Sequence, residues 1–222
     1  LAARKGWMSS GYGRLLPLFL PVIIALRLTG EGEVFYMQDR FGRGGKKFRL
    51  IKFATMLKDS PNLGTGEVTL KDDPRVLPLG CVLRKTKINE LPQVFNVIMG
   101  DMSVIGPRPQ TQRCFDAFPK QSQQAIIRAR PGLSGIGSIV FRDEEQLMGC
   151  HTNPDYYYDQ VIMPYKGKLE EWYVKNQNLW IYFTLIVTTM WVILCPKSKL
   201  LRHLFSSKLP DPPDELQGKL YI

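Results

Sequence analysis

A mixed α/β domain bordered by two short apolar segments is the fold class that the sequence predicts. Three observations carry it: two strand-like runs around a glycine-rich turn, a helical apolar period after residue 88, and two apolar stretches towards the ends of the chain. At 222 residues there is chain enough for one domain with a real core and appended helices. The expected division is a membrane-facing segment at 1–30, a folded domain at 31–178, and an apolar helix with a polar tail at 179–222.

Residues 15–28 (LLPLFLPVIIALRL) are apolar apart from Arg27 and are interrupted by Pro17 and Pro21. A helix that crosses the hydrocarbon needs roughly 20 residues, so this segment is too short to span. One reading is a re-entrant or interfacial helix bent at Pro21, where a backbone donor is missing. The other is a buried core helix. Basic residues on both sides (Arg4, Lys5 and Arg14 before; Arg40, Arg43, Lys46 and Lys47 after) favour the first, because a hairpin leaves both ends on the positive, cytoplasmic side.

Residues 33–38 (EVFYMQ) and 47–52 (KFRLIK) read as strands joined by the turn FGRGG at 41–45, and 59–66 (DSPNLGTG) as a loop. From 88 to 98 the apolar residues Leu91, Val94, Phe95 and Ile98 recur at i, i+3, i+4 and i+7, one face of a helix. Pro92 fits only its first turn, so Asn89 is the expected N-cap and Glu90 a first-turn carboxylate. Residues 179–195 (LWIYFTLIVTTMWVILC) are seventeen without a charge, at the lower limit for a span. Thr184, Thr188 and Thr189 give them a weakly polar stripe, and the aromatic residues suit a headgroup boundary. Spanning, packing on the domain and lying in the interface all stay open, the last favoured. Residues 208–217 (KLPDPPDELQ) read as a loosely ordered tail.

Charge narrows the partners. The net charge is +10, and residues 1–60 carry eleven Lys/Arg against four Asp/Glu, an imbalance that suits an anionic surface. Nucleic acid is not the expected partner, because the aromatic residues sit in apolar runs and do not alternate with Lys or Arg. Four scattered cysteines without CxxC spacing argue against a disulfide framework and a zinc site, and fit a reducing compartment. His151 and His203 are isolated. The chain begins at Leu1 and reads as a fragment or processed form.

The chemistry concentrates in residues 84–109, RKTKINELPQVFNVIMGDMSVIGPRP. A helix start offers free N–H groups to phosphate. Glu90 placed there makes sense if Mg²⁺ bridges carboxylate and phosphate. Arg84 lies just upstream, and Arg108 is held between Pro107 and Pro109, which leaves its guanidinium few directions to point. Alone, each residue has an ordinary explanation as a turn former, dipole partner or salt-bridge partner; together, beside an apolar segment, they point to phosphate handling.

These runs resemble the bacterial sugar transferase family, the monotopic polyprenyl-phosphate phosphoglycosyl transferases. The resemblance rests on VFYMQDRFGRGGKKFRLIKFATM (34–56), DDPRVLPLGCVLRK (72–85), NELPQVFNVIMGDMSVIGPRP (89–109), RPGLSG (130–135) and, more weakly, WYVKNQNLW (172–180). It implies a small membrane-associated α/β catalytic domain with an N-terminal re-entrant membrane helix and interfacial helices, on the cytoplasmic face of the cell inner membrane. It implies transfer of a sugar 1-phosphate from a nucleotide diphosphate sugar, usually a UDP-sugar, to polyprenyl phosphate, with Mg²⁺ associated with Glu90. In the family an Asp attacks the sugar-linked phosphate and expels the nucleoside monophosphate, and lipid phosphate then attacks the phosphoryl-enzyme. That Asp's place is taken here by Asn89, which has no anionic oxygen. Arg84, Arg108, Lys52 and Arg142 are the implied phosphate or nucleotide contacts. Two further departures are Ala54, where an Arg is usual, and the run from Ser138 to Arg142. The expected function is this transfer in a disarmed or altered form; the alternative is an inactive member that binds nucleotide sugar or lipid phosphate as a membrane scaffold. Membrane lipid is an expected partner, and a homo-oligomer is compatible with the sequence.

Overall fold

A computed structural model describes residues 17, 19–63, 69, 73–149, 151, 153–195, 198–205 and 208–220. The basic residues Arg4, Lys5 and Arg14 lie outside them. The chain forms two compact units, Leu1–Met37 with Ile51–Ile98, and Gln38–Leu50 with Met99–Ile222.

In the first unit, helix α1 (19–28) puts Phe19 and Leu26 into a core with Phe53 and Leu83. The Phe19 ring meets Phe53 and Phe95 edge-on, with centroids 5.6 and 5.4 Å away. The other face leaves Leu20, Ile24 and Leu28 exposed. The segment read as membrane-facing is therefore a core helix along one side and bare apolar surface along the other. Pro21 lies within the helix and is exposed. Gly30 and Gly32 end the helix in the left-handed region, and a Cβ on Gly30 would come within 2.7 Å of Leu77 Cδ1.

Strands β1 (Phe35–Phe41) and β2 (Lys47–Phe53) pair across a connection too short for a crossover, so they run antiparallel. β1 starts later and runs further than the sequence suggests, its exposure alternating up to Arg40. The turn holds a 3₁₀ segment, Arg43–Gly45. After β2, Arg75 is buried and clamps the chain. Its Nε and Nη2 donate to Asp73 at 2.9 and 2.6 Å, and its Nη1 to the carbonyls of Ser60 and Leu63 at 2.8 and 2.7 Å. Helix α2 (Pro78–Lys85) starts on a proline whose missing N–H had no helical partner.

The expected helix over 88–98 is broken. Ile88–Glu90 is a 3₁₀ turn, and helix α3 is only Gln93–Met99. Asn89 lies inside the turn and does not cap it; Lys87, in the left-handed region at φ 58°, takes the cap position. The reason is Pro92. It has no N–H to reach back four residues to Ile88, so the carbonyl of Ile88 takes the amide of Leu91 at 3.0 Å and the winding tightens.

The second unit centres on two short parallel strands, β3 (Ser103–Ile105) and β4 (Gly132–Ser134), with Ser103 opposite Gly132 and Ile105 opposite Ser134. Between them run α4 (Gln112–Asp116) and α5 (Lys120–Ile126), and after them α6 (Ile136–Val140), α7 (Glu144–Gly149) and α8 (Pro154–Tyr157). A wide π turn, Tyr158–Ile162, leads into α9 (Met163–Asn176), which packs on α5 and α6. α10 (Leu179–Leu194) follows, its N-cap Asn178 accepting from the amide of Ile181 at 2.9 Å. The last helix is α11 (Leu200–Phe205).

α10 is inside out relative to water. Thr188 is fully buried beside Leu185 and Ile181, and Thr189 shares a 2.9 Å hydrogen bond with Ser134 of β4. Leu179, Trp180, Phe183, Val187, Met190 and Leu194 are exposed. Among the described residues no helix is long and apolar enough to cross a membrane. The tail corrects the sequence reading. Tyr165 donates to the carbonyl of Pro210 at 2.9 Å, and Leu216 is fully buried, so this proline-rich stretch packs instead of trailing.

Candidate active site

In the first unit the structure brings Lys52 and Glu90 together. The Lys52 Nζ stands 4.0 Å from a Glu90 oxygen, at the outer limit of an ion pair, and both side chains are largely buried. The scaffold is Asn96 on α3. It is completely buried, and its side-chain oxygen accepts from the backbone amide of Ile51, next to Lys52, at 3.1 Å. That bond fixes α3 and the 3₁₀ turn against β2. Arg84 comes from the last turn of α2, its Nη1 3.8 Å from the Met56 sulfur.

Asn89 points inward and is 7% exposed, and its Oδ1 has no hydrogen-bond partner among the described residues. A buried amide tolerates this at moderate cost; a buried unpaired carboxylate would not. A phosphate site at a helix start loses its support, because α3 begins after Pro92 and the turn before it is 3₁₀. For a metal, Glu90 offers one carboxylate. Among the described residues no group of three or more His, Cys, Asp or Glu is placed to hold an ion. Cys81, Cys114 and Cys195 are free thiols. His151 stacks on Tyr157, centroids 3.6 Å apart, and His203 Nδ1 lies 3.1 Å from the Lys199 carbonyl.

The second unit holds Arg108 and Arg142. The loop carrying Arg108 is built by three glycines. The amide of Gly106 donates to the carbonyl of Ser134, and that of Gly132 to the carbonyl of Pro107, each at 2.9 Å. A Cβ on Gly132 would lie 2.1 Å from the Gly106 nitrogen, and one on Gly135 2.1 Å from the Gly106 oxygen. Backbone therefore lies on backbone here, which only glycine permits. Arg108, half-buried, lines a small crevice with Phe41, Pro109, Gln110 and Phe115. Arg142 is mostly buried, its Nε 3.7 Å from an Asp143 oxygen.

The structure adds Glu170 on α9, absent from the sequence expectations. It is 2% exposed. Burial pushes its carboxyl up to about 8, only partly offset by the charge of Lys166, by the amides of Arg108 and Gly137 that face it, and by the Arg108 charge. The signal was available. Met163, Lys166, Glu170 and Tyr173 follow one another at helical spacing along the buried face, so two charges lie on a core stripe.

A family model described as bacterial sugar transferase matches residues 9–196. The chain is 35% identical over 185 residues to a UDP-N-acetylgalactosamine-undecaprenyl-phosphate N-acetylgalactosaminephosphotransferase of Aeromonas hydrophila, covering 81% of this chain and 40% of the relative. It is 30% identical over 188 residues to a UDP-glucose:undecaprenyl-phosphate glucose-1-phosphate transferase of Xanthomonas campestris pv. campestris, covering 83% and 36%. With the exopolysaccharide production protein ExoY of Sinorhizobium fredii it shares 36% over 144 residues, covering 59% and 63%. The chain spans about two fifths of the length of the first two of these relatives. With the family model matched across most of its length, the chain belongs to the bacterial sugar transferase family.

Proposed function

We propose that this chain handles the transfer of a sugar 1-phosphate from a UDP-sugar to polyprenyl phosphate at the cytoplasmic face of the inner membrane, an opening step of surface-glycan assembly, with the covalent route disarmed at Asn89. The observation that carries the reading is the family match over residues 9–196, among relatives named for this reaction. In the first unit, Lys52 and Arg84 supply positive charge for phosphate, beside Glu90 held against Lys52 by β2 and the 3₁₀ turn. In the second unit, taken by itself, Arg108 and Arg142 are the basic residues of this reading.

In the covalent route a carboxylate oxygen at position 89 would attack the sugar-linked phosphorus. The bond from that phosphorus to the bridging oxygen would break, and the nucleoside monophosphate would leave with the electron pair. A lipid phosphate oxygen would then displace the enzyme oxygen. The amide of Asn89 is neutral and its lone pair is delocalised, so this step loses its nucleophile and turnover falls on the order of 10³-fold or more. Substrate binding, which depends on the basic residues, is retained. Glu90 is the residue that would hold Mg²⁺, and the ion would supply neutralisation of the charge building on the leaving phosphate.

Membrane seating is supported by two exposed apolar faces: Leu20, Ile24 and Leu28 on α1, and Trp180, Phe183 and Val187 on α10. A re-entrant α1 turning at Pro21 belongs to this reading. The second reading, an inactive scaffold that keeps the substrates bound, is favoured by the buried neutral amide itself. The test incubates the full chain and its Asn89→Asp form with radiolabelled UDP-sugars and polyprenyl phosphate. Labelled lipid with the Asp form alone supports the disarmed transferase. Binding without product in either supports the scaffold, and full turnover with Asn89 in place would overturn the covalent assignment.

A further inference from the structure

Helix α10 has two unlike faces. Ile181, Leu185, Thr188 and Val192 form its buried stripe at i, i+4, i+7 and i+11, while Phe183, Val187 and Met190 are more than half exposed. Thr189, half-buried, borders the stripe. Its hydroxyl lies 2.7 Å from the Leu185 carbonyl one turn back and 2.9 Å from the hydroxyl of Ser134 on β4. A hydroxyl has one proton, and a carbonyl can only accept. Thr189 therefore donates to Leu185, and its oxygen accepts the proton of Ser134.

Ser134 is also where the Arg108 loop is fastened. Its carbonyl accepts from the amide of Gly106 at 2.9 Å, and the amide of Gly132 donates to the carbonyl of Pro107 at the same distance. Both residues that lead into Arg108 are thus fixed to β4. The fit leaves no slack, since a Cβ on Gly106 would come within 2.4 Å of the Arg130 carbonyl oxygen and 2.9 Å of the Gly132 nitrogen. Backbone packed this closely shifts as one piece. α10 also packs on β3, which ends at Ile105, one residue before the loop. A shift of α10 therefore reaches the loop through the Thr189–Ser134 bond and β4.

We propose that Thr189 is a positioning residue that couples membrane seating to phosphate recognition: by accepting the Ser134 hydroxyl it ties the lipid-facing helix to the loop that presents Arg108. The proposal rests on the readings of Arg108 as a phosphate-binding residue and of α10 as seated on lipid. In water α10 is held along its buried stripe alone. With Phe183, Val187 and Met190 in an apolar medium it is held on both faces. The order this imposes on Ser134 and the loop no longer has to be supplied by the ligand. Lipid and nucleotide then strengthen each other's binding by the same factor, as linkage requires.

The experiment measures UDP affinity of the full chain by calorimetry, with and without vesicles of phosphatidylethanolamine and phosphatidylglycerol. Lipid is set where flotation shows each variant fully bound, and thermal melts confirm folding. Vesicles are expected to tighten UDP binding about fivefold, and UDP to tighten vesicle binding by the same factor. Thr189→Val, similar in shape but unable to accept, is expected to lose that gain, whereas Thr189→Ser keeps the hydroxyl and should keep it. Ser134→Ala removes the other partner and should lose the gain too, with nothing further lost in the double variant. It also decides the matter should Thr189→Val fail to fold. If Phe183→Glu with Val187→Glu leaves vesicle binding unchanged, the membrane reading of α10 falls and the proposal with it. The same follows for the phosphate reading if Arg108→Ala leaves UDP affinity unchanged. If both readings hold but vesicles do not tighten UDP binding, or Thr189→Val and Ser134→Ala keep the full gain, only the coupling is overturned.

Discussion

Asn89 and Glu90 are neighbours in one 3₁₀ turn with opposite exposures to cost. Glu90 has Lys52 at 4.0 Å to offset its charge, whereas Asn89 has a buried oxygen with no partner among the described residues. A carboxylate at 89 would place a buried anion next in sequence to Glu90, and burial disfavours its charged form. Asn89→Asp should therefore destabilise the fold by about 1–3 kcal/mol, and each kcal/mol lowers the melting midpoint of a chain this size by roughly 2–4 °C. Added Mg²⁺ should return part of the loss in the Asp form and little in the Asn form, measured as melting midpoints with and without the ion. A midpoint unchanged by the substitution would mean that water reaches position 89 more freely than its burial implies.

At the scale of elements, the Arg108 loop and α10 make opposite demands. The loop depends on missing atoms. A Cβ on Gly132 would meet the Gly106 nitrogen at 2.1 Å, and neither backbone can move without breaking the β3–β4 pairing. Gly132→Ala should cost about 3 kcal/mol, the upper part of the overpacking range, seen as an earlier urea midpoint. α10 depends on present ones. Thr188 is buried and Thr189 bonds Ser134 of β4, while Phe183 and Val187 face outward. Burying those two in an apolar medium is worth about 1.5–3 kcal/mol each, so Phe183→Glu with Val187→Glu should lower vesicle binding at least tenfold in a flotation assay. The melting midpoint should hardly change, because neither side chain packs inside the protein.

For the molecule as a whole, Glu170 ties stability to pH. Its carboxyl titrates near pH 8 when folded and near 4.5 in its ordinary state, so the folded chain binds the extra proton between those values. Its contribution is fully present below about pH 4.5, declines as pH rises, and is gone above about 8. Melting midpoints should therefore fall from pH 5 to pH 8, and Glu170→Gln should flatten that fall. A fall of equal size in Glu170→Gln would assign the pH dependence to other groups.

Composition, apolar periods and the runs at 84–109 and 130–135 settled the family, the mixed α/β class, the β1–β2 pair and the two apolar segments, because these follow from residue type and spacing along the chain. Tertiary structure decided what spacing cannot express. Pro92 broke the expected helix, since a missing N–H removes one bond whatever the apolar period says. α1 proved to bury one face in the core of its unit, and α10 turned Thr188 and Thr189 inward; a period fixes which residues share a face, and only the neighbours fix which way it points. The proline-rich tail packed through Tyr165, which bonds the Pro210 carbonyl across 45 residues of chain, and through the burial of Leu216. Glu170 came to lie among Lys166, Gly137 and the backbone of Arg108, groups up to sixty-two residues away in sequence, and only the folded backbone could bring them together.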